Sequence, residues 1–190
     1  MNATNKILLV VAIILLCTVL SGRLFGQSNS KLKLEVGYGL SLLGSGDKTA
    51  KSGIVELDYS ITNWLEASFS SVIATASSDL PGDNAGFIQT NLNVLFVPLR
   101  VKDTYFLKLG GGLTYYDYEG VSAVRTCFDT GVPVPKSFSF REANEFGYSM
   151  VIENQYRFND KYSVALQVFV QEYSNGDTNA GGNLKFGITL

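Results

Sequence analysis

Few residues in this chain have the chemistry to act, and no histidine is among them. That absence removes Ser–His–Asp hydrolases, Cys–His proteases and His-ligated zinc together. The nucleophile-elbow pattern G-x-S-x-G is missing too, because the stretch from Gly39 through Ser41 ends in Leu43 where glycine is required. Hydrolysis by paired carboxylates stays formally open, with no spacing that promotes it. The glycines at 110–112 lack the Gly-Lys-Ser/Thr of a phosphate loop, and within a strand they provide a bend or room for an aromatic neighbour. The segment SNGDTNAGG at 174–182 has one carboxylate, Asp177, and no closing glutamate, so it reads as a solvated loop rather than a calcium loop. No catalytic, cofactor or metal residue is assigned.

What remains is a set of charges at alternating positions. Lys31, Lys33, Lys108, Arg157 and Lys185 supply five positives; Glu35, Glu56, Asp58, Glu66 and Glu153 supply five negatives. Each shares a strand face with small or polar residues, opposite a face of leucine, valine, isoleucine and tyrosine. Period two identifies the elements that carry them as β-strands. Eight such strands are expected: 31–43, 53–62, 65–74, 87–97, 105–118, 145–158, 162–173 and 183–190. On the fifth, Tyr105, Leu107, Leu109, Leu113 and Tyr115 are set against Lys108, the three glycines and Thr114. The connections alternate in length, short at 62–64, 98–104 and 159–161 and long at 44–52, 75–86, 119–144 and 174–182. An even number of up-and-down strands with the long loops at one end predicts a closed barrel, which removes exposed sheet edges.

A barrel can hide its apolar face or show it to lipid, and three features favour lipid. Aromatics gather beside the short turns (Tyr59, Trp64, Phe96, Tyr105, Tyr156, Phe158 and Tyr162), with Tyr115, Phe146 and Tyr148 toward the long loops, as two interfacial girdles would require. The apolar face carries almost no charge along mid-strand. The other face is rich in glycine and serine, which suits an eight-stranded interior only wide enough for side chains. A soluble lipocalin-like barrel would carry longer charged residues there. Placed inside, the five positives and five negatives balance, which favours structural ion pairing over a selectivity element of one dominant sign.

The N-terminus agrees with export. Lys6, an apolar run at 7–20 and small or polar residues beyond it read as a secretory signal peptide, too short to span a bilayer. The expected signal is 1–26, with cleavage after Gly22 as the alternative because Leu24 fits poorly three positions before the later cut. Leu16 ahead of Cys17 disfavours lipidation. Removal of 1–26 leaves a single barrel domain, 27–190, and takes the net charge from −2 to −4 as Lys6 and Arg23 depart. That mild acidity and the lack of any basic run argue against nucleic acid. Cys127 is then the lone cysteine, so no intramolecular disulfide forms. The unusual segment is 119–144, where Val124, Cys127, Phe128, Val132, Val134, Phe138 and Phe140 put apolar side chains into a presumed loop. They could fold over the mouth, build a hairpin above the membrane, or meet a partner or hydrophobic solute.

The export signal, the eight alternating strands, the strand YFLKLGGGLTYYDY after a short turn and the apolar alternation of the last strand resemble the small porin-like outer-membrane β-barrel family that includes the OmpA membrane domain, OmpX and OmpW. The resemblance covers nearly the whole mature chain and rests on pattern rather than on one motif. It departs at the C-terminus, where Leu190 stands in place of the common phenylalanine. It implies an outer-membrane location, both termini in the periplasm, contact with outer-membrane lipid and lipopolysaccharide, and assistance from the barrel-assembly machinery. The expected role is a non-enzymatic barrel with a closed or narrow charge-balanced lumen and interacting loops, the alternative being an OmpW-like channel for small, hydrophobic solutes. A lipid-modifying enzyme is disfavoured, since the comparable barrel enzymes use a catalytic histidine.

Overall fold

The computed structural model describes residues 31–43, 48–77, 84–129 and 132–190. The expected signal segment 1–26 lies outside them. Eight strands follow in order: β1 (Leu32–Leu43), β2 (Lys48–Thr62), β3 (Leu65–Ser77), β4 (Asn84–Val101), β5 (Tyr105–Asp129), β6 (Val132–Arg157), β7 (Tyr162–Tyr173) and β8 (Thr178–Thr189). Each pairs antiparallel with its sequence neighbours, and β8 returns to β1 to close the barrel. The closure is completed where the Leu190 N–H donates to the Leu32 carbonyl at 2.9 Å.

Several strands run past the expected bounds. β2 begins at Lys48 rather than 53, β4 extends to Val101, and β8 starts at Thr178 within the expected loop 174–182. The largest difference in bounds is 119–144, placed among the long connections with a hairpin as one option: 119–129 and 132–144 are the paired outer parts of β5 and β6, as in that option. Beyond the apolar belt the two faces no longer answer to opposite surroundings, so a clean hydropathy alternation is not required while the hydrogen-bond ladder continues. Among the described residues, β5 pairs with β4 as far as Val121 opposite Asn84, and β6 pairs with β7 from Gly147 opposite Tyr173. Further out, among the described residues, the two strands pair with each other as a two-stranded ribbon. Of the segment singled out in the sequence, the side chains of Val124, Cys127, Phe128, Val132, Val134 and Phe138 lie outside the described set. Phe140 is 80 % exposed.

The short-turn end is fixed by local chemistry. Pro98 has no N–H to give the ladder, and the β4–β5 register shifts between Phe96 and Leu99. At the tip, Lys102 and Asp103 both take positive φ (48° and 54°), and the Thr104 N–H reaches the Val101 carbonyl at 3.0 Å. Two left-handed central residues suit the twist of a tight hairpin. Between β6 and β7, Asn159 Oδ1 accepts the N–H groups of Lys161 and Tyr162 at 2.9 and 2.8 Å.

The outer surface is the apolar one. Val36, Leu40, Leu92, Val94, Leu113, Met150, Ile152, Leu166, Val168 and Leu184 are each at least half exposed to the surroundings. A contiguous wall of this kind is stable in hydrocarbon and a severe liability in water. One assignment of faces is corrected: Gly110 and Gly112 point inward with Lys108 and Thr114, but Gly111 lies on the outer wall between exposed Leu109 and Leu113. A run of three residues cannot sit on one face of a pleated strand. The inner face also holds apolar side chains that the polar-face reading did not anticipate: Leu95, Val151 and Phe169 form one cluster, and Ile54, Val72, Phe87 and several alanines form another nearer the long loops.

Across the β1–β8 seam, inward residues alternate in size: Glu35 faces Gly187, Gly37 faces Lys185, Gly39 faces Asn183 and Ser41 faces Gly181. A Cβ on Gly37 would lie 2.4 Å from the Leu184 carbonyl oxygen and 2.9 Å from Lys185 Cγ. Its absence leaves the path along which the Lys185 side chain crosses the lumen.

The lipid-facing assignment has a direct test. Leu92 is 57 % exposed in mid-strand between Phe69 and Leu113 of the neighbouring strands. Leu92→Arg is expected to lower unfolding stability in lipid vesicles by about 2–4 kcal/mol, measured by urea titration of the folded band. An unchanged midpoint would place this wall in water.

Candidate functional site

The lumen holds the densest chemistry, and strand register builds it. Register places Lys33 opposite Asp58 and Glu35 opposite Glu56 on β1 and β2, and Lys108 opposite Glu153 on β5 and β6. Inward-pointing neighbours of this kind lie within reach of one another. Glu35 against Glu56 is a like-charge pair and would be unfavourable alone. Lys185 enters from β8 to resolve it. Its Nζ lies 2.6 Å from Glu35 Oε2 and 2.8 Å from Glu56 Oε1, and it also contacts Glu153 Oε2. Lys108 Nζ is 2.6 Å from Glu66 Oε2, 3.1 Å from Glu153 Oε1 and 3.5 Å from Asp58 Oδ2. Lys33 Nζ is 2.8 Å from Asp58 Oδ2 and 3.0 Å from Glu35 Oε1, and donates to Gln155 Oε1 at 3.2 Å.

Three ammonium groups thus bind five carboxylates in one connected cluster. Lys108, Lys185, Glu35 and Glu153 are fully buried, and Glu66, toward the short-turn end, keeps slight exposure. Arg157 is not drawn in; its guanidinium stacks on the Phe106 ring, 4.7 Å from the centroid, with Arg100 at 5.3 Å. Lys31 is exposed at the start of β1. Carboxylate oxygens of Glu35, Asp58 and Glu153 lie within 4.8 Å of one another, close enough to share a cation. The lysine ammonium groups already contact all three residues and supply that positive charge.

Toward the long loops the charges give way to amides. Gln167 Nε2 reaches Glu56 Oε2 and Glu153 Oε2, both at 3.3 Å, and its Oε1 accepts from Asn183 at 2.9 Å. Above it, Asn91 Oδ1 accepts from Gln89 at 2.8 Å and from Gln171 at 3.1 Å, while Asn91 Nδ2 donates to Ser70. The Tyr173 hydroxyl donates to Gln89 Oε1 at 3.0 Å, and its ring packs at a tilt of 39° against Tyr116 with centroids 4.1 Å apart. At the mouth, Asp177 Oδ2 accepts from the Tyr116 hydroxyl at 2.8 Å, Arg141 Nη2 at 2.7 Å and Asn175 Nδ2 at 2.9 Å. Gln89 and Asn91 fall on the polar face by sequence, but neither they nor Tyr116, Gln167, Gln171 and Tyr173 stand among the candidates drawn from it. Their signal was parity alone: each lies an even number of residues from an inward neighbour on its own strand.

The aromatic candidates lie outside the barrel. Tyr59, Trp64, Phe96, Tyr156, Phe158 and Tyr162 are all exposed at the short-turn end. Trp64 packs edge-on against Phe96 at 5.8 Å, Tyr156 against Phe158 at 5.3 Å and Tyr162 along Phe186 at 6.0 Å. The Tyr105 hydroxyl donates to Asn154 Oδ1 on the same surface.

The cluster yields a two-way prediction. Lys185→Met leaves three buried carboxylates short of a cation and is expected to cost about 3–5 kcal/mol, read as a lower urea midpoint. Adding Glu35→Gln and Glu153→Gln should recover most of the loss, which a simple packing defect at position 185 would not allow.

No protein-family model matches the chain, and no curated protein matches it in sequence. Solved structures do match. Neisserial surface protein A (NspA) superposes with a TM-score of 0.62 at 11 % identity, covering 86 % of this chain and all of that one. Ail, the attachment invasion locus protein of Yersinia pestis, gives 0.57 at 11 % identity over 83 % of this chain and 96 % of its own. The N-terminal β-barrel domain of Pseudomonas aeruginosa OprF gives 0.50 at 12 % identity over 82 % and 96 %. The chain has the fold of the small eight-stranded barrels of outer membranes.

Proposed function

We propose that the chain is an outer-membrane barrel without enzymatic activity, sealed along its lumen, whose working part is the long-loop end facing out of the cell. The observation that carries this reading is the triple clasp of Lys185 by Glu35, Glu56 and Glu153, with Lys108 and Lys33 completing it. A passage for ions or solutes would have to break several buried charge contacts at once, and each broken contact strands a charge in a water-poor interior. Catalysis by paired carboxylates would need the same groups exposed to water and substrate. The apolar wall sits in outer-membrane lipid, with lipopolysaccharide on its outer leaflet, and the barrel-assembly machinery inserts it. The ribbon of β5 and β6 is then the element that stands furthest from the membrane and offers a surface to a partner.

Conductance separates this from the channel reading. The chain refolded into a planar bilayer is expected to show no discrete openings at neutral pH, while Lys108→Ala and Glu153→Ala should introduce them. Openings in the unaltered protein that disappear in those variants would establish a selective pore and end the sealed-barrel reading.

A further inference from the structure

The wall that faces lipid is not even. Gly111 presents no side chain to it, because β6 comes so close there that a Cβ would lie 2.5 Å from the Ser149 carbonyl oxygen. The gap is the floor of a groove of about 750 Å³ between β5 and β6, walled by Leu109 and Leu113 on one side and by Tyr148, Met150 and Ile152 on the other. Met150, directly opposite Gly111, is 75 % exposed, against 57 % for Leu92 elsewhere on the wall. Register sets the direction of the groove: Ile152 stands opposite Leu109 toward the short turns, and Tyr148 opposite Leu113 toward the long loops.

At the long-loop end the groove meets a carboxylate. Glu172 on β7 stands opposite Tyr148 on the outer face and is exposed. From Tyr162 the strand rises ten residues to reach it. That is about 33 Å along the strand and about 25 Å along the membrane normal at the usual tilt, which puts Glu172 at headgroup depth. Among the described residues no hydrogen bond or ion pair holds its carboxylate. The outward side chains from Phe140 to Tyr148 on β6 and from Val164 to Glu172 on β7 include two carboxylates and no lysine or arginine.

We propose that the groove and Glu172 form a binding site for an outer-leaflet amphiphile with a net positive, ammonium-bearing headgroup. Its hydrocarbon tail lies over Gly111 from Leu113 to Leu109, and its ammonium sits between the Glu172 carboxylate and the Tyr148 ring. The tail is already in hydrocarbon, so the groove adds packing rather than transfer from water. Selectivity therefore comes from the headgroup. A carboxylate and an aromatic face both attract an ammonium, and both act more strongly where water is scarce. A headgroup carrying only phosphate meets an uncompensated carboxylate there. A second copy of this chain packed two-fold over the groove brings another Glu172 to the same depth. The inference goes beyond the sealed-barrel reading and depends on the wall, not on whether the lumen conducts.

Met150 reports on the groove from within, through an isotope-labelled methyl group followed by NMR in the full chain refolded into phosphatidylcholine nanodiscs. Hexadecylamine is expected to shift that resonance saturably, at a bilayer mole fraction at least about fivefold lower than hexadecanol, the worth of one ammonium–carboxylate contact. Palmitate should not compete. Glu172→Gln should raise the hexadecylamine half-saturation to that of hexadecanol. Leu109→Trp, which narrows the far end of the groove, should weaken hexadecylamine and leave octylamine unaffected. A heat-dependent gel shift checks that both variants fold. The proposal is overturned if the shift grows without saturating, as ordinary surrounding lipid would give, or if palmitate or hexadecanol saturates it as early as hexadecylamine. It is equally overturned if Glu172→Gln leaves the half-saturation unchanged, or if Leu109→Trp weakens both chain lengths alike.

Discussion

Closing β8 onto β1 obliges the inward side chains of eight strands to share a lumen scarcely wider than the side chains themselves. That constraint orders the rest of the molecule. Space is so short that inward glycines face Glu35, Lys185 and Asn183 at the seam, and polarity is so confined that each charge must find its opposite nearby. Three lysines against five carboxylates is a tight solution, workable because Lys185 crosses the lumen through the gap at Gly37 and Lys108 reaches Glu66 and Glu153 together. Further out amides take over in two groups, Gln167 with Asn183 and then Asn91, Gln89, Gln171 and Asn179 with Tyr173.

The same constraint divides the protein into a part that cannot easily change and a part that can. Within the belt, a residue answers to lipid on one face and to a packed polar interior on the other. Past Val121 on β5 and before Gly147 on β6 those obligations loosen: among the described residues the two strands pair with each other, while Arg141 still reaches Asp177 and Ala143 still packs on the inner cluster.

Much of this was legible in the sequence because lipid and lumen impose opposite demands on alternate residues. Leu32 to Leu42 alternate without a slip, and eight such stretches with short and long connections define the barrel. Legibility failed where that contrast weakens. The outer parts of β5 and β6 keep apolar residues but interrupt the clean alternation, with prolines at 133 and 135, and so read among the long loops. Gly111 was assigned inward with its neighbours because glycine carries no hydropathy of its own to mark a face. Lys108, Lys185, Glu35 and Glu153 could be placed on the inner face by parity, but which lysine meets which acid depends on register between strands distant in sequence. Arg157 shares that parity and yet turns to the Phe106 ring, an outcome set by depth in the barrel rather than by face.

The alternation of size at the β1–β8 seam bears on how the chain completes itself. The first and last strands are joined by the longest loop closure in the molecule, so their contact is the most costly in chain entropy and the latest to be rewarded. Sliding β8 by two residues would set Lys185 against Glu35 and Asn183 against Gly37, crowding one position and emptying another. The seam therefore works as a template that accepts only one alignment of the two chain ends, and it delivers the final lysine to its three carboxylates in the same motion that shuts the barrel.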